Sequence, residues 1–262
     1  MQTTGTLNEI LNWLLGNIWV ERMIKLDLTE QIKELALQNG VTYFGVADLS
    51  KAKQAILSQG GSEIASFPYS ISFGISLINH IVDQLPRRSE RSVALNYRHH
   101  AFDVINQRLD MVASIVSGFI QHQGYTVLPV PASKRIDDER ISAAFSHKMG
   151  ASLSGLGWIG KNCLLITPDI GPRVRWVSIL TDAPIEPTGQ LMEEQCGDCS
   201  ACVDVCPMKA FTGKPFREEE PREVRYDARK CEKYFEKMKE KGKIEVCGMC
   251  LYVCPYGMKT GI

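Results

Sequence analysis

The segments CGDCSACVDVCP (196–207) and CGMCLYVCP (247–255) hold seven of the chain's nine cysteines. Thiols bunched at such short intervals bind a metal ion, carry a metal–sulfur cluster or form disulfides. Cys196, Cys199, Cys202 and Cys206, followed by Pro207, have the spacing C-x2-C-x2-C-x3-C-P. A tight loop of that spacing brings three sulfurs onto one face of a cube, and its amides offset the charge of the cluster sulfides. The fourth cysteine sits about a helical turn further on and serves a second cube. Zinc needs closed four-ligand sets such as paired C-x2-C elements and does not require this run. The chain shows no basic n-region or cleavage site of a signal peptide. A cytoplasmic, reducing compartment is therefore expected, where metal binding outranks disulfides.

The second segment places Cys247, Cys250 and Cys254 before Pro255 but lacks a first cysteine, since three residues before Cys247 stands Ile244. Cys231, sixteen residues before Cys247, is the candidate for the missing thiolate. The count then closes at eight ligands for two [4Fe–4S] clusters in the manner of bacterial ferredoxins. Cys196, Cys199, Cys202 and Cys254 are expected to hold one, and Cys206, Cys231, Cys247 and Cys250 the other. Clusters move single electrons, so the chemistry they serve is expected in the rest of the chain.

The elements that must position these thiols divide the chain unevenly. At 262 residues it is long enough for a large domain and a smaller one. Thirty basic residues balance thirty acidic ones, which gives no global attraction to nucleic acid or anionic membrane. No apolar run is long enough to span a bilayer. LNEILNWLLGNIWVERM, within 1–27, has helical spacing and is expected to pack on its own domain or on a second subunit, making a homodimer. From 28 to 188, helix and strand signals alternate as in an α/β layered domain. LTEQIKELALQNG reads as a helix capped by Thr29 and stopped by Gly40, AFDVINQRLDMVASIVSGFIQHQG as the longest helix, and DERISAAFSHKMGASLSG as a third. VTYFGVADL, YSISFGISLI, YTVLPVPA, CLLITP and VRWVSILTDA read as strands. From 189 to 262 large aliphatics are few, and the core of that small domain is expected to be the clusters themselves.

The stretch SGLGWIGKNCLLITP adds a ligand question. Gly155, Gly157 and Gly160 surround Trp158 and precede Lys161, Asn162 and a strand. Such a turn lets backbone amides approach a ligand closely, and it serves equally as a structural tight turn. Together with the LTDAP strand end, YDARKC and the two-cluster tail, it resembles the epoxyqueuosine reductase family and, more distantly, the corrinoid reductive dehalogenases, over roughly residues 28–258. The resemblance implies an α+β sandwich of nitroreductase type holding base-off cobalamin, with a ferredoxin-like domain that passes electrons to cobalt. By that resemblance Ser133, Gly155, Leu156, Gly157, Trp158, Ile159, Gly160, Lys161 and Asn162 are the cobalamin-binding candidates. Where the family carries an aspartate proposed as proton donor, PVPASKRIDDER offers Pro131 and Ala132. Asp137 or Asp138 could substitute if the loop folds back; otherwise the two acids start a helix. Many tRNA-modifying members continue into a helical-repeat extension beyond the clusters. Without one, and with zero net charge, nucleic acid is not an expected partner.

Other groups carry two readings each. His99 and His100 are proton donors or surface and capping residues. His147 touches cofactor or substrate, or belongs to its helix. Cys163 is a small buried hydrophobe or a redox thiol, and Arg173 and Arg175 belong to a solvated strand edge or contact an anion. Three functions follow. The first is a corrinoid-dependent reductase of a small molecule, fed by a ferredoxin- or flavodoxin-type donor. The second is a reactivation protein that reduces the corrinoid of a partner protein, and the third is a tRNA epoxyqueuosine reductase.

Overall fold

Alternating apolar residues decide the central sheet. In β2 (Tyr69–Ser76) Ile71, Phe73 and Ile75 point one way and Ser70, Ser72 and Gly74 the other, and both sides are buried. The computed structural model describes residues 26–217 and 220–258; the expected N-terminal helix lies outside them. β1 (Tyr43–Asp48), β2, β6 (Val174–Thr181) and β3 (Val127–Val130) form one sheet in the order β1-β2-β6-β3. Every neighbouring pair is antiparallel. Helices therefore cover an antiparallel sheet, an α+β sandwich rather than a parallel βαβ array.

One face packs Ile71, Phe73, Ile75, Val177 and Ile179 against α1 (Leu28–Gln38) and α4 (Ile105–His122), through Ile32, Ile105, Leu109 and Val112. Each such side chain contributes about 1.5–3 kcal/mol when fully buried. α1 is capped by Asp27, not Thr29: Asp27 accepts from the Glu30 amide at 2.9 Å. Thr29 is buried instead, its hydroxyl accepting from Glu186 N–H at 2.9 Å. The longest helix is as expected in its body, but α3 (Arg91–Arg98) joins α4 through a π-helical turn, His99–Val104.

The other face carries small side chains because α5 (His147–Leu153) lies almost on the sheet. A methyl group on Gly150 would stand 3.0 Å from Ser70 Oγ and 3.1 Å from Ser72 Oγ. α5 is all that is helical of the expected DERISAAFSHKMGASLSG helix. Residues 131–146 form a loop held from outside. Arg222 donates to the Ile141 and Arg140 carbonyls, and Arg229 to those of Asp138 and Glu139. Ile141 sits at φ +50, an outlying conformation for a β-branched residue, so these arginines hold a backbone the local sequence does not favour.

After β6 the chain crosses back to β1, where Thr188 N–H donates to the Val46 carbonyl. It then enters the cysteine-rich segment. There α6 (Ala228–Glu240), capped by Asp227, is the only helix longer than one turn among the described residues.

Candidate metal centre

Two groups of thiols form at the ends of short turns. Cys196, Cys199, Cys202 and Cys254 line one small pocket, together with Lys161, Asn162, Ile166 and Tyr256. Burial, then the neighbouring Cys196, Cys254 and Cys199, pushes the Cys202 thiol up to about 12. The second group gathers about Cys250: burial first, then Cys247, Cys231, Cys202 of the first group and Cys206, pushes the Cys250 thiol well up. Cys206 Sγ accepts from Ala210 N–H at 3.3 Å, and Cys206, Cys250, Phe211 and Tyr226 pack as one cluster. Residues 196–206 and 247–254, far apart in sequence, thus exchange one cysteine each. Cys163, the ninth, lies apart, 4% exposed at φ +55.

Two buried donors beside these segments have no hydrogen-bond partner. The indole N–H of Trp158, whose ring packs with Cys254, is one. Arg88 Nε is the other, while its Nη1 donates to the Leu85 carbonyl at 3.5 Å. Tyr226 stacks on Phe211 at 5.1 Å and packs with Cys206 and Cys250. Sequence reasoning missed Arg88 and Tyr226. The only signal for Tyr226 was its place five residues before the lone Cys231.

The glycine-rich turn grips both thiol groups. Lys161 Nζ donates to the Gly197 and Cys199 carbonyls, and Asn162 Nδ2 to the Cys250 carbonyl at 3.1 Å. Trp158 (1% exposed), Ile159 (5%) and Asn162 (4%) are covered by protein. The Cα faces of the glycines are closed too. A methyl on Gly157 would overlap the Ile166 carbonyl oxygen, one on Gly160 would lie 2.8 Å from Ile166 Cγ1, and one on Gly155 2.9 Å from Gln190 N. These glycines answer to the packing of β4 (Trp158–Ile159) against β5 (Leu165–Ile166) and its surroundings.

The three candidate proton donors are not brought together. Asp137 caps its own turn, accepting from Arg140 N–H at 2.8 Å. Asp138 is 91% exposed beside Arg135, and Ser133 is exposed as well. His147 is engaged at both nitrogens: Nε2 donates to the Pro131 carbonyl at 3.1 Å, so Nδ1 accepts from Ser178 Oγ at 3.0 Å. It ties the loop after β3 to β6. His99 faces Asp103 at 3.7 Å, and His100 Nε2 accepts from the Ile78 amide at 3.0 Å. The expected solvated arginines are enclosed instead. Arg173 pairs with Asp83 at 2.7 Å, while Arg175 donates to Asn106 Oδ1 and stacks on Phe102 at 4.8 Å.

Burial pushes His147 down to about 4, with the Arg175 charge helping and the Pro131 hydrogen bond opposing. The folded protein therefore binds this proton less readily than the unfolded chain, whose histidine titrates near 6.5. The resulting stabilisation is complete above about pH 6.5 and is lost as pH falls toward 4, up to about 3 kcal/mol in all. Urea unfolding at pH 7, 5.5 and 4.5 should show this loss, and His147→Gln should flatten the profile within that window. An unchanged profile in the variant would contradict the assignment.

Comparison with known proteins agrees with the sequence resemblance. Residues 195–257 match the family described as "4Fe-4S double cluster binding domain". The epoxyqueuosine reductase of Pseudomonas aeruginosa is 35% identical over 127 residues, 44% of this chain and 32% of that protein. That of Leadbetterella byssophila is 35% identical over 126 residues, 44% of this chain and 38% of its own length. The match thus spans about a third of these curated relatives. Among solved structures, an epoxyqueuosine reductase with an epoxyqueuosine-modified tRNA-Tyr stem loop superposes with a TM-score of 0.57 at 20% identity, covering 90% of this chain and 66% of the other. A reductive dehalogenase whose structure suggests a mechanism for B12-dependent dehalogenation gives 0.63 at 18% identity, covering 89% and 32%. The chain is epoxyqueuosine reductase-like in sequence and in fold, and its cysteine-rich segment is a double-cluster domain. Among the described residues no helix is long and apolar enough to cross a membrane.

Proposed function

We propose that this chain, sharing the double-cluster domain and the fold of epoxyqueuosine reductase-like iron–sulfur proteins, is a corrinoid-dependent reductase that passes single electrons through two [4Fe–4S] clusters. Cys196, Cys199, Cys202 and Cys254 hold one cluster; Cys206, Cys231, Cys247 and Cys250 hold the other. The donor chemistry fits: Cys196, Cys199, Cys202 and Cys254 line one pocket, Cys206 and Cys250 pack together, and the buried donors Trp158 Nε1 and Arg88 Nε have no hydrogen-bond partner of their own. The observation that carries the reading is the single loop that joins both thiol groups to the large domain, through Lys161 and Asn162. It fixes both groups against the domain whose fold is shared with the reductases.

Cobalamin, when bound, supplies a low-valent metal centre that reduces a substrate. This part of the reading is supported by the fold neighbours alone. What the chain's own residues do is hold the wire: Lys161 and Asn162 fix the cluster loops, while Arg222 and Arg229 fix the 131–146 loop against the cluster domain. The anaerobically reconstituted protein, given reduced methyl viologen as donor and a halogenated phenol as electron acceptor, should oxidise the viologen only when cobalamin is added. A rate independent of cobalamin would overturn the corrinoid reading. Retention of a partner's corrinoid without turnover would favour the reactivation protein.

The tRNA reading has one observation in its favour. Lys233 and Lys237 are exposed on α6 with Lys230, which pairs with Asp227 at 3.9 Å, among the exposed acids Glu236 and Glu240 of the same helix. An epoxyqueuosine-modified stem loop, tested as acceptor in the same assay, should sustain viologen oxidation with strong salt dependence if those lysines track phosphates.

A further inference from the structure

The loop of residues 131–146 takes its shape from the cysteine-rich part of the chain. Arg222 donates to the Arg140 and Ile141 carbonyls, and Arg229 to those of Asp138 and Glu139. Glu232 adds a third hold, pairing with Arg135 of the loop at 2.9 Å and with Arg229 at 2.7 Å. On the loop's other side Gln59 Nε2 donates to the Ala143 carbonyl at 2.8 Å, and Arg140 Nη1 to the Ser58 carbonyl at 3.1 Å. At the tip, Asp137 and Ser142 exchange backbone hydrogen bonds, and Ile141 between them lies at φ +50. A β-branched residue keeps that conformation only where its surroundings enforce it. Arg222, on the Ile141 carbonyl, enforces it here.

α6, which carries Arg229 and Glu232, has little packing to hold it. None of its side chains is buried, and exposed ion pairs such as those of Arg135 and Arg229 contribute little each. The start of the helix is stitched instead to the chain that follows Cys206. Asp227 N–H donates to the Ala210 carbonyl at 2.8 Å, Thr212 N–H to the Arg225 carbonyl at 3.0 Å, and Tyr226 stacks on Phe211 at 5.1 Å. Ala210 N–H in turn donates to Cys206 Sγ at 3.3 Å. Cys231 lies one turn into α6, between Arg229 and Glu232. Each side of the stitch therefore carries a thiol of one ligand set. Ligation contributes far more to a small metal-built domain than such ion pairs do.

We propose that the four-iron cluster on Cys206, Cys231, Cys247 and Cys250 fastens residues 131–146 through Arg222, Arg229 and Glu232. The loop then takes its place between β3 and α5 only when the electron wire beside it is assembled. An iron-free chain keeps its sheet but has an open loop at the edge of the domain that receives the electrons. The inference rests on that ligand set, and no electron or proton moves in it.

The test is hydrogen–deuterium exchange of the reconstituted full chain, before and after iron is removed by a chelator, with iron and sulfide measured on every sample. The reporters are the amides of Ile136, Asp137, Arg140 and Ser142, each bonded within the loop. Iron removal should speed their exchange about tenfold or more, while the amides of β2 and β6 stay protected. Arg222→Ala combined with Arg229→Ala should free the same amides with the iron still complete. Cys231→Ser should lose half its iron and free them too. Loop amides that stay protected after iron removal, in the double variant with complete iron, or in a half-loaded Cys231→Ser protein would overturn the proposal. A Cys231→Ser protein that keeps all its iron would overturn the ligand set, and the proposal with it.

Discussion

Cys250→Ser is expected to cost the protein at least half its iron and to loosen the whole C-terminal domain. The reason lies in what that domain has for a core. Apart from Val246, Met249 and Leu251, which pack into the core of the large domain, its buried apolar side chains are few: Cys206, Ala210 and Phe211 form one small cluster, and Cys254 shares another with Trp158 and Ile166. Ligation must therefore supply the stability that packing does not, and in other small metal-built domains it contributes on the order of 10 kcal/mol. Cys250 also anchors its domain to the large one, since its carbonyl accepts from Asn162 Nδ2. Losing the cluster beside it should release that anchor. Iron and sulfide analysis together with limited proteolysis reads both effects, and cleavage between 190 and 258 should precede cleavage of the sheet. Cys163→Ser is the control: buried apart from both groups, it should leave iron unchanged. A Cys250→Ser protein that keeps two intact clusters would contradict the ligand set.

Gly157→Ala should be among the most damaging single-methyl changes in the large domain. The added methyl would overlap the carbonyl oxygen of Ile166, and the backbone of β5 has no rotamer with which to yield. A loss of at least about 3 kcal/mol is expected, at the upper end for overpacking, or about 6–12 °C in melting temperature for a domain of this size. Gly118→Ala makes the same chemical change on the exposed side of α4, with nothing within 4 Å of the new methyl. There the gain in helix propensity should stabilise by up to about 1 kcal/mol. The pair separates two uses of glycine. If Gly157→Ala melts like the parent, the turn is not packed as described, and its glycine is free to meet a ligand.

The two positions also show where sequence reading stops. The double-cluster segment was legible because cluster ligation is a local matter of loop length; Cys231 is offered as a ligand by the thiolate count. The strands followed from period-two alternation. Their antiparallel order did not, since pairing such as Ser72 with Ser178 joins residues more than a hundred positions apart. GLGWIGKN has the same local signature whether its glycines admit a ligand or a neighbouring strand, and only the fold shows β5 lying over Gly157. The helix expected over DERISAAFSHKMGASLSG failed for a similar reason. Arg222 and Arg229 take the carbonyls of residues 138–141 from a distance of some eighty to ninety residues, and tertiary partners override helix propensity. Thr29 resembled a cap, yet Asp27 had the geometry and Thr29 was needed at Glu186. Arg173, just before β6, and Arg175 within it looked like edge residues because their partners, Asp83 and Asn106, lie on other elements.

The most direct test is a titration of the anaerobically reconstituted, cluster-loaded protein with cob(II)alamin, followed by electron paramagnetic resonance. Signals of two reduced four-iron clusters are expected, together with conversion of the cobalt signal to the base-off form at one equivalent per chain. Two clusters with an unchanged spectrum of free cob(II)alamin would contradict the corrinoid-dependent reductase and leave a two-cluster electron carrier joined to a domain of other use.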